Sequence, residues 1–363
     1  MRIAYTADRI FTGTEWLTDH SLIVEEERIL SLIPTSQVPA EEQQQQFAAS
    51  FIAPAFIDLQ LYGAGGMLLS AYPGTEALHT LRAHCADSGT AFCQPTIATN
   101  TIEVFHQCID AVRQYKEEGG EGIIGLHLEG PWINAVKRGA HIGSLVRKPE
   151  VKEVKAMLDY GKGIITMVTL APELCTREIL ELFLERGVTI SAGHSNATYD
   201  EATMSFDNGI TTATHLFNAM SAFQHRAPGL AGAVLDHSSV NASIIPDGHH
   251  VDFAAVRIAK KIMQDRLFVI TDAVTATSIG PYPHVLVGDK YEADNILSGS
   301  SLTMIKAVRN LVNFAGIELA EALRMCSLYP ARVIGLKEQG FIRAGGSARM
   351  VVINDNLEVQ QLL

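Results

Sequence analysis

The chain is poor in the features that mark several classes of protein. Its five cysteines, Cys85, Cys93, Cys108, Cys175 and Cys326, include no Cys-x-x-Cys pair. This argues against a disulfide framework or a thiolate zinc site and for a reducing compartment. No apolar run approaches the length of a bilayer span, and Asp8 stands where a signal peptide would need its apolar core, so a cytoplasmic location is expected. Charge is scarce at 19% of 363 residues, and positive charge scarcer: 28 Lys and Arg against 40 Asp and Glu give a formal net charge of −12. Such a protein repels nucleic acid and anionic membranes at long range. It admits a small anionic substrate only where positive groups gather locally. No disordered tract stands out, since 47% of the residues are hydrophobic.

What the chain does have is rhythm. Residues 3–52 read as short β runs, Ile3–Tyr5, Arg9–Phe11, Ser21–Val24 and Arg28–Ile33, with the polar Glu41–Gln46 run expected to be a solvated loop. From Pro54 the pattern becomes strand, loop, helix, repeated. Eight apolar strands are placed at Phe56–Leu61, Thr90–Ile97, Ile123–Leu128, Ile164–Leu170, Val188–Ala192, Thr211–Thr214, Ala242–Pro246 and Leu267–Ile270. Helical periods lie between them and continue at Ser301–Ala315 and Leu319–Ile334. Eight buried strands alternating with helices predict a closed parallel (β/α)8 barrel of the TIM type, an α/β fold. After Gly335 the chain returns to β character, and the strand Met350–Ile353 needs a partner, which the N-terminal β unit supplies. The expected division is a β unit of residues 1–53, a barrel of residues 54–337 and a returning β segment of residues 338–363.

In such a barrel the C-terminal ends of the strands share one mouth. Strand three finishes at Glu129, strand five at His194, strand six at His215, strand seven at Asp247-Gly-His249-His250 and strand eight at Asp272. Two imidazoles and a carboxylate suit a divalent cation of borderline softness and leave a position open for water. Glu129, His194 and His215 are therefore the candidate metal ligands. Asp272 is the candidate that takes a proton from that water and returns it to a leaving group. Gln60 and Tyr62 alternate on one face of the first strand and are poor zinc ligands, so a single metal is expected, with Asp58 structural. Of the adjacent His249 and His250, at most one faces the site. The long connection Ser221–Val240 carries Arg226, a planar cation suited to phosphate or carboxylate, and Asn218 precedes it.

The motifs His127-Leu-Glu-Gly-Pro-Trp132, Ser191-Ala-Gly-His-Ser195, Thr214-His-Leu-Phe-Asn-Ala-Met220, Pro228-Gly-Leu-Ala-Gly232, Asp247-Gly-His-His250, Thr271-Asp-Ala273 and Leu297-Ser-Gly-Ser-Ser-Leu-Thr-Met304 occur in that order. Together they resemble the N-acetylglucosamine-6-phosphate deacetylase family of the amidohydrolase superfamily. The resemblance implies a barrel with a small β-sandwich built from both chain ends. It also implies hydrolysis of the acetamide of N-acetylglucosamine 6-phosphate to glucosamine 6-phosphate and acetate by metal-activated water. Glu129, His194 and His215 would hold one divalent metal per subunit, with zinc expected and iron(II) or another divalent ion as alternatives. Asp272 would be the general base and acid, and His141 would hold and polarise the acetamide carbonyl. Asn218, Ala219, His250 and Met304 would line the sugar phosphate site. Arg226 would reach the phosphate in the neighbouring subunit of a homodimer, answering the shortage of cations. The first strand carries Gln60 and Tyr62 where family members have His-x-His or Gln-x-Asn, which is nearer the single-metal version. The rival readings are a deacetylase of N-acetylgalactosamine 6-phosphate, a cyclic amide hydrolase, and a non-catalytic sugar-phosphate-binding protein. The second commonly needs a lysine that strand four lacks, and the third gives Asp272 no task.

Overall fold

The computed structural model of the chain describes residues 2–293 and 296–363. They divide into two compact units, one comprising the residues up to Asp58 with Cys85–Phe92 and Thr303–Leu363, the other Leu59–His84 with Cys93–Leu302.

In the first unit a seven-stranded sheet joins the chain's two ends. Its order is Val359–Leu362, Met350–Asn354, Gln43–Pro54, Arg2–Phe11, His20–Glu25 and Arg28–Pro34, with Trp16–Thr18 paired off Arg2–Phe11. The returning strand runs antiparallel to Gln43–Pro54, with Val352 opposite Ile52. Ile10, Leu22, Ile52, Met350 and Val352 form its core, all at 0% exposure. The glutamine run departs from expectation. Its side chains are largely solvated, but the backbone pairs parallel with the first strand, Gln44 opposite Ala4. Glutamine has little strand preference of its own, and the ladder to a distant partner overrides it. The same unit contains the helices Met304–Asn313, Leu319–Cys326 and Leu328–Val333.

Eight strands form the barrel sheet in chain order: Phe56–Leu61, Thr90–Ala98, Leu126–Glu129, Ile165–Leu170, Thr189–Ala192, Thr212–Ala213, Asn241–Ile244 and Leu267–Val269. Neighbours pair in parallel. Their apolar runs are buried on both faces, as parallel strands covered by helices require. The expected third strand starts later, and Ile123 makes only an isolated bridge to Cys93. Several helices between the strands open on side-chain caps. Thr101 accepts from Val104 N, Thr176 from Ile179 N, and Thr198 forms a reciprocal capping box with Glu201. Within the interval Ser221–Val240 the structure adds a helix, Gly229–Asp236, and after the eighth strand a three-stranded meander, Val285–Val287, Lys290–Ala293 and Ile296–Ser300. Neither was anticipated. Among the described residues, no helix is long and apolar enough to cross a membrane.

The ring's closure positions the chemistry. Just beyond the eighth strand, Ala273 bridges in parallel to Leu61 of the first. Tyr62 N donates to Ala273 O at 2.8 Å and Asp272 N to Gln60 O at 2.9 Å. Residues 60 and 62 thereby share one rim with residue 272, more than two hundred positions away in sequence.

Candidate functional site

A cavity of about 210 Å³ opens at that rim, and its wall includes Glu129, His141, His194, His215 and Asp272. His194, His215 and Asp272 lie two or three residues beyond the ends of their strands, with φ of 47°, 38° and 54°. Left-handed backbone is uncommon for residues with a Cβ and costs on the order of 1 kcal/mol. At three strand ends around one cavity it turns side chains into the mouth that a continued strand would send elsewhere.

Glu129, only 2% exposed, is the hub. Its Oε1 lies 3.1 Å from His215 Nε2 and 3.4 Å from His194 Nε2, and its Oε2 lies 3.3 Å from His141 Nε2. Burial alone would push this carboxyl up, but His194, His141 and His215 outweigh it and hold it well below the usual carboxylate range. Asp272 goes the other way, raised by burial and by the Glu129 charge beside it. Two neighbouring carboxyls with opposite shifts are the pattern of one ionised ligand and one group that exchanges a proton.

The histidines differ in what they can offer. His194 Nδ1 lies 2.9 Å from the Lys137 carbonyl, which only accepts, so Nδ1 carries the proton and Nε2 turns a lone pair to the site. His215 Nε2 lies 3.1 Å from that same atom. His141 is reversed: Thr99 N donates to its Nδ1 at 3.2 Å, which leaves the proton on Nε2, facing Glu129. Burial and the neighbouring His194 push its imidazole down to about 4, so it is neutral at physiological pH.

The remaining expected residues fall as follows. Asn218, Ala219 and His250 line the cavity. His249 turns away to Asp289, Nε2 to Oδ1 at 2.7 Å, so one of the adjacent pair faces in. Arg226 sits exposed in the turn spanned by the Gln224–Ala227 bridge, outside this wall. Met304, 1% exposed, opens a helix of the first unit and is not among the lining residues. Among the described residues, no lysine or arginine lines the cavity.

Three residues carry more than the sequence suggested. Gln60 Nε2 bridges the two carboxylates, 2.9 Å from Glu129 Oε1 and 2.7 Å from Asp272 Oδ1. Tyr62 Oη donates to Glu129 Oε2 and lies 3.4 Å from Asp272 Oδ1. Burial, Asp272 and Glu129 raise its phenol well above the usual value, so it stays a donor. Asp247 holds His250, Oδ2 to Nδ1 at 2.7 Å. The sequence signals for them were the alternation of Gln60 and Tyr62 and the place of Asp247 in the motif that ends strand seven.

The donor set fits a divalent cation. Ligand atoms of Glu129, His141 and His194 all lie within 4.8 Å of one another, and His215 joins them. Two imidazole nitrogens 3.1 Å apart beside an ionised carboxylate are what a shared cation holds together.

Fold and site define a barrel hydrolase of the metal-dependent kind, and the profile of the Amidohydrolase family matches residues 51–362. The chain belongs to that family. A second profile, the NagA composite domain, matches residues 3–48. The chain is 35% identical to the N-acetylglucosamine-6-phosphate deacetylase of Haemophilus influenzae, over 96% of this chain and 94% of that one. It is 31% identical to the N-acetylgalactosamine-6-phosphate deacetylase of Escherichia coli O157:H7, over 98% and 96% of the two chains. Among solved structures, the N-acetylglucosamine-6-phosphate deacetylase of Pasteurella multocida superposes with a TM-score of 0.94 at 34% identity, covering 99% of this chain and 97% of that one.

Proposed function

We propose that the protein hydrolyses the acetamide of N-acetylglucosamine 6-phosphate, giving glucosamine 6-phosphate and acetate. The observation that carries this is the convergence of Glu129, His194, His215 and Asp272 on one cavity, with Glu129 Oε1 within 3.4 Å of Nε2 of both His194 and His215. Relatives with that activity, alike over nearly the whole chain, support it.

Glu129, His194 and His215 would hold one divalent ion, zinc or iron(II). His194 Nε2 offers a lone pair, whereas His141 Nε2 carries a proton and so serves better as a donor than as a ligand. A divalent ion bound there supplies Lewis acidity, lowering the pKa of water to about 7 and polarising a carbonyl. Asp272 takes the proton of the attacking water and delivers it to the departing nitrogen, which otherwise would leave as an amide anion. His141 donates Nε2–H to the carbonyl oxygen as charge builds there. Gln60 ties Asp272 Oδ1, leaving Oδ2 for the transfer. Asn218, the Ala219 backbone and His250 receive the sugar phosphate. Among the described residues no lysine or arginine lines the cavity, and, as the family resemblance implies, Arg226 from a second copy in a homodimer would meet the phosphate. A cytoplasmic location accords with five cysteines none of which forms a disulfide.

The test is acetate release from N-acetylglucosamine 6-phosphate and its C4 epimer, side by side, by the metal-loaded enzyme and by Asp272→Asn. Turnover of the first substrate, lost in the variant while metal is retained, is expected. Preference for the galacto epimer would move the assignment to the activity of the Escherichia coli relative. Parent-rate turnover by Asp272→Asn would remove Asp272 from the proton path.

A further inference from the structure

The turn after the seventh strand places a buried Asp–His pair beside the cavity, apart from the metal cluster. Asp247 Oδ1 accepts from the backbone N–H groups of His249 and His250, at 2.9 and 2.8 Å, which fixes the turn. Its Oδ2 lies 2.7 Å from His250 Nδ1, and the two side chains are only 6% and 7% exposed. The His250 ring lines the cavity together with Asn218, Tyr62 and Asp272. We propose that Asp247 is a positioning residue that locks His250 with its proton on Nδ1, so that Nε2 faces the cavity as an acceptor for a hydroxyl of the sugar. The proposal rests on the deacetylase reading for the identity of the ligand, and on geometry alone for the lock.

The physical argument is one of donors and acceptors. An ionised carboxylate has nothing to donate, so a 2.7 Å contact with Nδ1 requires the hydrogen to be on the ring. Burial would raise the Asp247 carboxyl, but the bonds from His250 and from the two backbone groups outweigh it and hold it below the usual range, so it is ionised. In the neutral ring the lone pair is then on Nε2, and the fixed turn leaves the imidazole no freedom to reverse. The neighbouring His249 turns outward instead, to Asp289 at 2.7 Å, where its side chain is 34% exposed. A sugar ring bristles with hydroxyls, and an acceptor held still reads one of them by direction as well as by distance.

Asp247→Asn is the discriminating variant. Its side-chain oxygen still accepts from the two backbone N–H groups, while its amide NH2 now faces Nδ1. The ring must accept there, and its proton moves to Nε2. Nitrogen-15 shifts of the histidines, with the His250 signals assigned by their absence in His250→Gln, should show Nδ1 protonated in the parent and Nε2 protonated in Asp247→Asn. With N-acetylglucosamine 6-phosphate, Asp247→Asn should raise KM about tenfold, one hydrogen bond's worth, and change kcat far less. In the double variant Asp247→Asn/His250→Gln the KM should match that of His250→Gln alone, because the aspartate acts only through the histidine. A parent ring protonated on Nε2, an unchanged KM in Asp247→Asn, or additive losses in the double variant would overturn the proposal. A parent enzyme that releases no acetate would instead overturn the deacetylase reading, while the nitrogen shifts would still judge the lock.

Discussion

Replacing His141 with asparagine separates a metal ligand from a hydrogen-bond donor. Asparagine places its Oδ1 near the position of the imidazole Nδ1, so it still accepts the Thr99 N–H that His141 accepts at 3.2 Å. What it lacks is the Nε2–H, which in the parent points at Glu129 Oε2 from 3.3 Å. Local structure is therefore kept and one donor removed. Loss of a single donor to a developing oxyanion costs about 3 kcal/mol, or roughly a hundredfold or more in kcat. Metal content should stay at the parent value, because no lone pair has been taken from the ion. The parallel variant His194→Asn removes a lone pair held in place by the Lys137 carbonyl and should release the metal. The assay is metal analysis after dialysis, with kcat measured on the same samples. If His141→Asn sheds its metal in step with His194→Asn, or turns over at the parent rate, the tautomer reasoning is wrong.

Tyr62→Phe removes the phenol that donates to Glu129 Oε2 and leaves Gln60 holding both carboxylates. Competition with a chelator should show metal affinity lowered by about tenfold or more, and equal affinity would deny Tyr62 this supporting role. Arg226→Ala should weaken phosphorylated N-acetylglucosamine far more than the unphosphorylated sugar, and equal losses would remove Arg226 from the phosphate site. Acid should destabilise the fold through His127, which burial pushes from 6.5 down to about 4. Between those values the unfolded chain binds a proton that the folded chain refuses, so stability falls as pH drops through this window and levels off below it. The contribution is on the order of 3 kcal/mol at the lower limit. Urea unfolding against pH should show it as a difference between parent and His127→Asn, and superimposable curves would refute it.

The barrel was legible because its strands are apolar runs cut by turns, a signal confined to each run. The strand-end residues Glu129, His194, His215 and Asp272 were legible for the same reason, since a barrel brings the ends of its strands to one mouth. The structure does bring them together. What stayed hidden depends on pairs distant in sequence. Nothing near Gln60 announces that its amide will span Glu129 and Asp272, because the barrel's closure makes that contact. The strand character of Gln43–Gln46 was hidden likewise, supplied by pairing with Ile3–Thr6 rather than by glutamine itself. The meander after the eighth strand escaped notice because Val285, Leu286 and Val287 are all exposed, so no alternation of buried and solvated positions marks them.

The account rests on one ion held by a carboxylate and two imidazoles, with a third imidazole beside it as a donor. Anomalous diffraction from crystals of the metal-loaded protein, recorded at the metal's absorption edge, tests this most directly. One peak is predicted, about 2.0–2.2 Å from Glu129 and from Nε2 of both His194 and His215, with His141 outside bonding distance. A peak bonded to His141 in place of His215, two peaks, or none would contradict it.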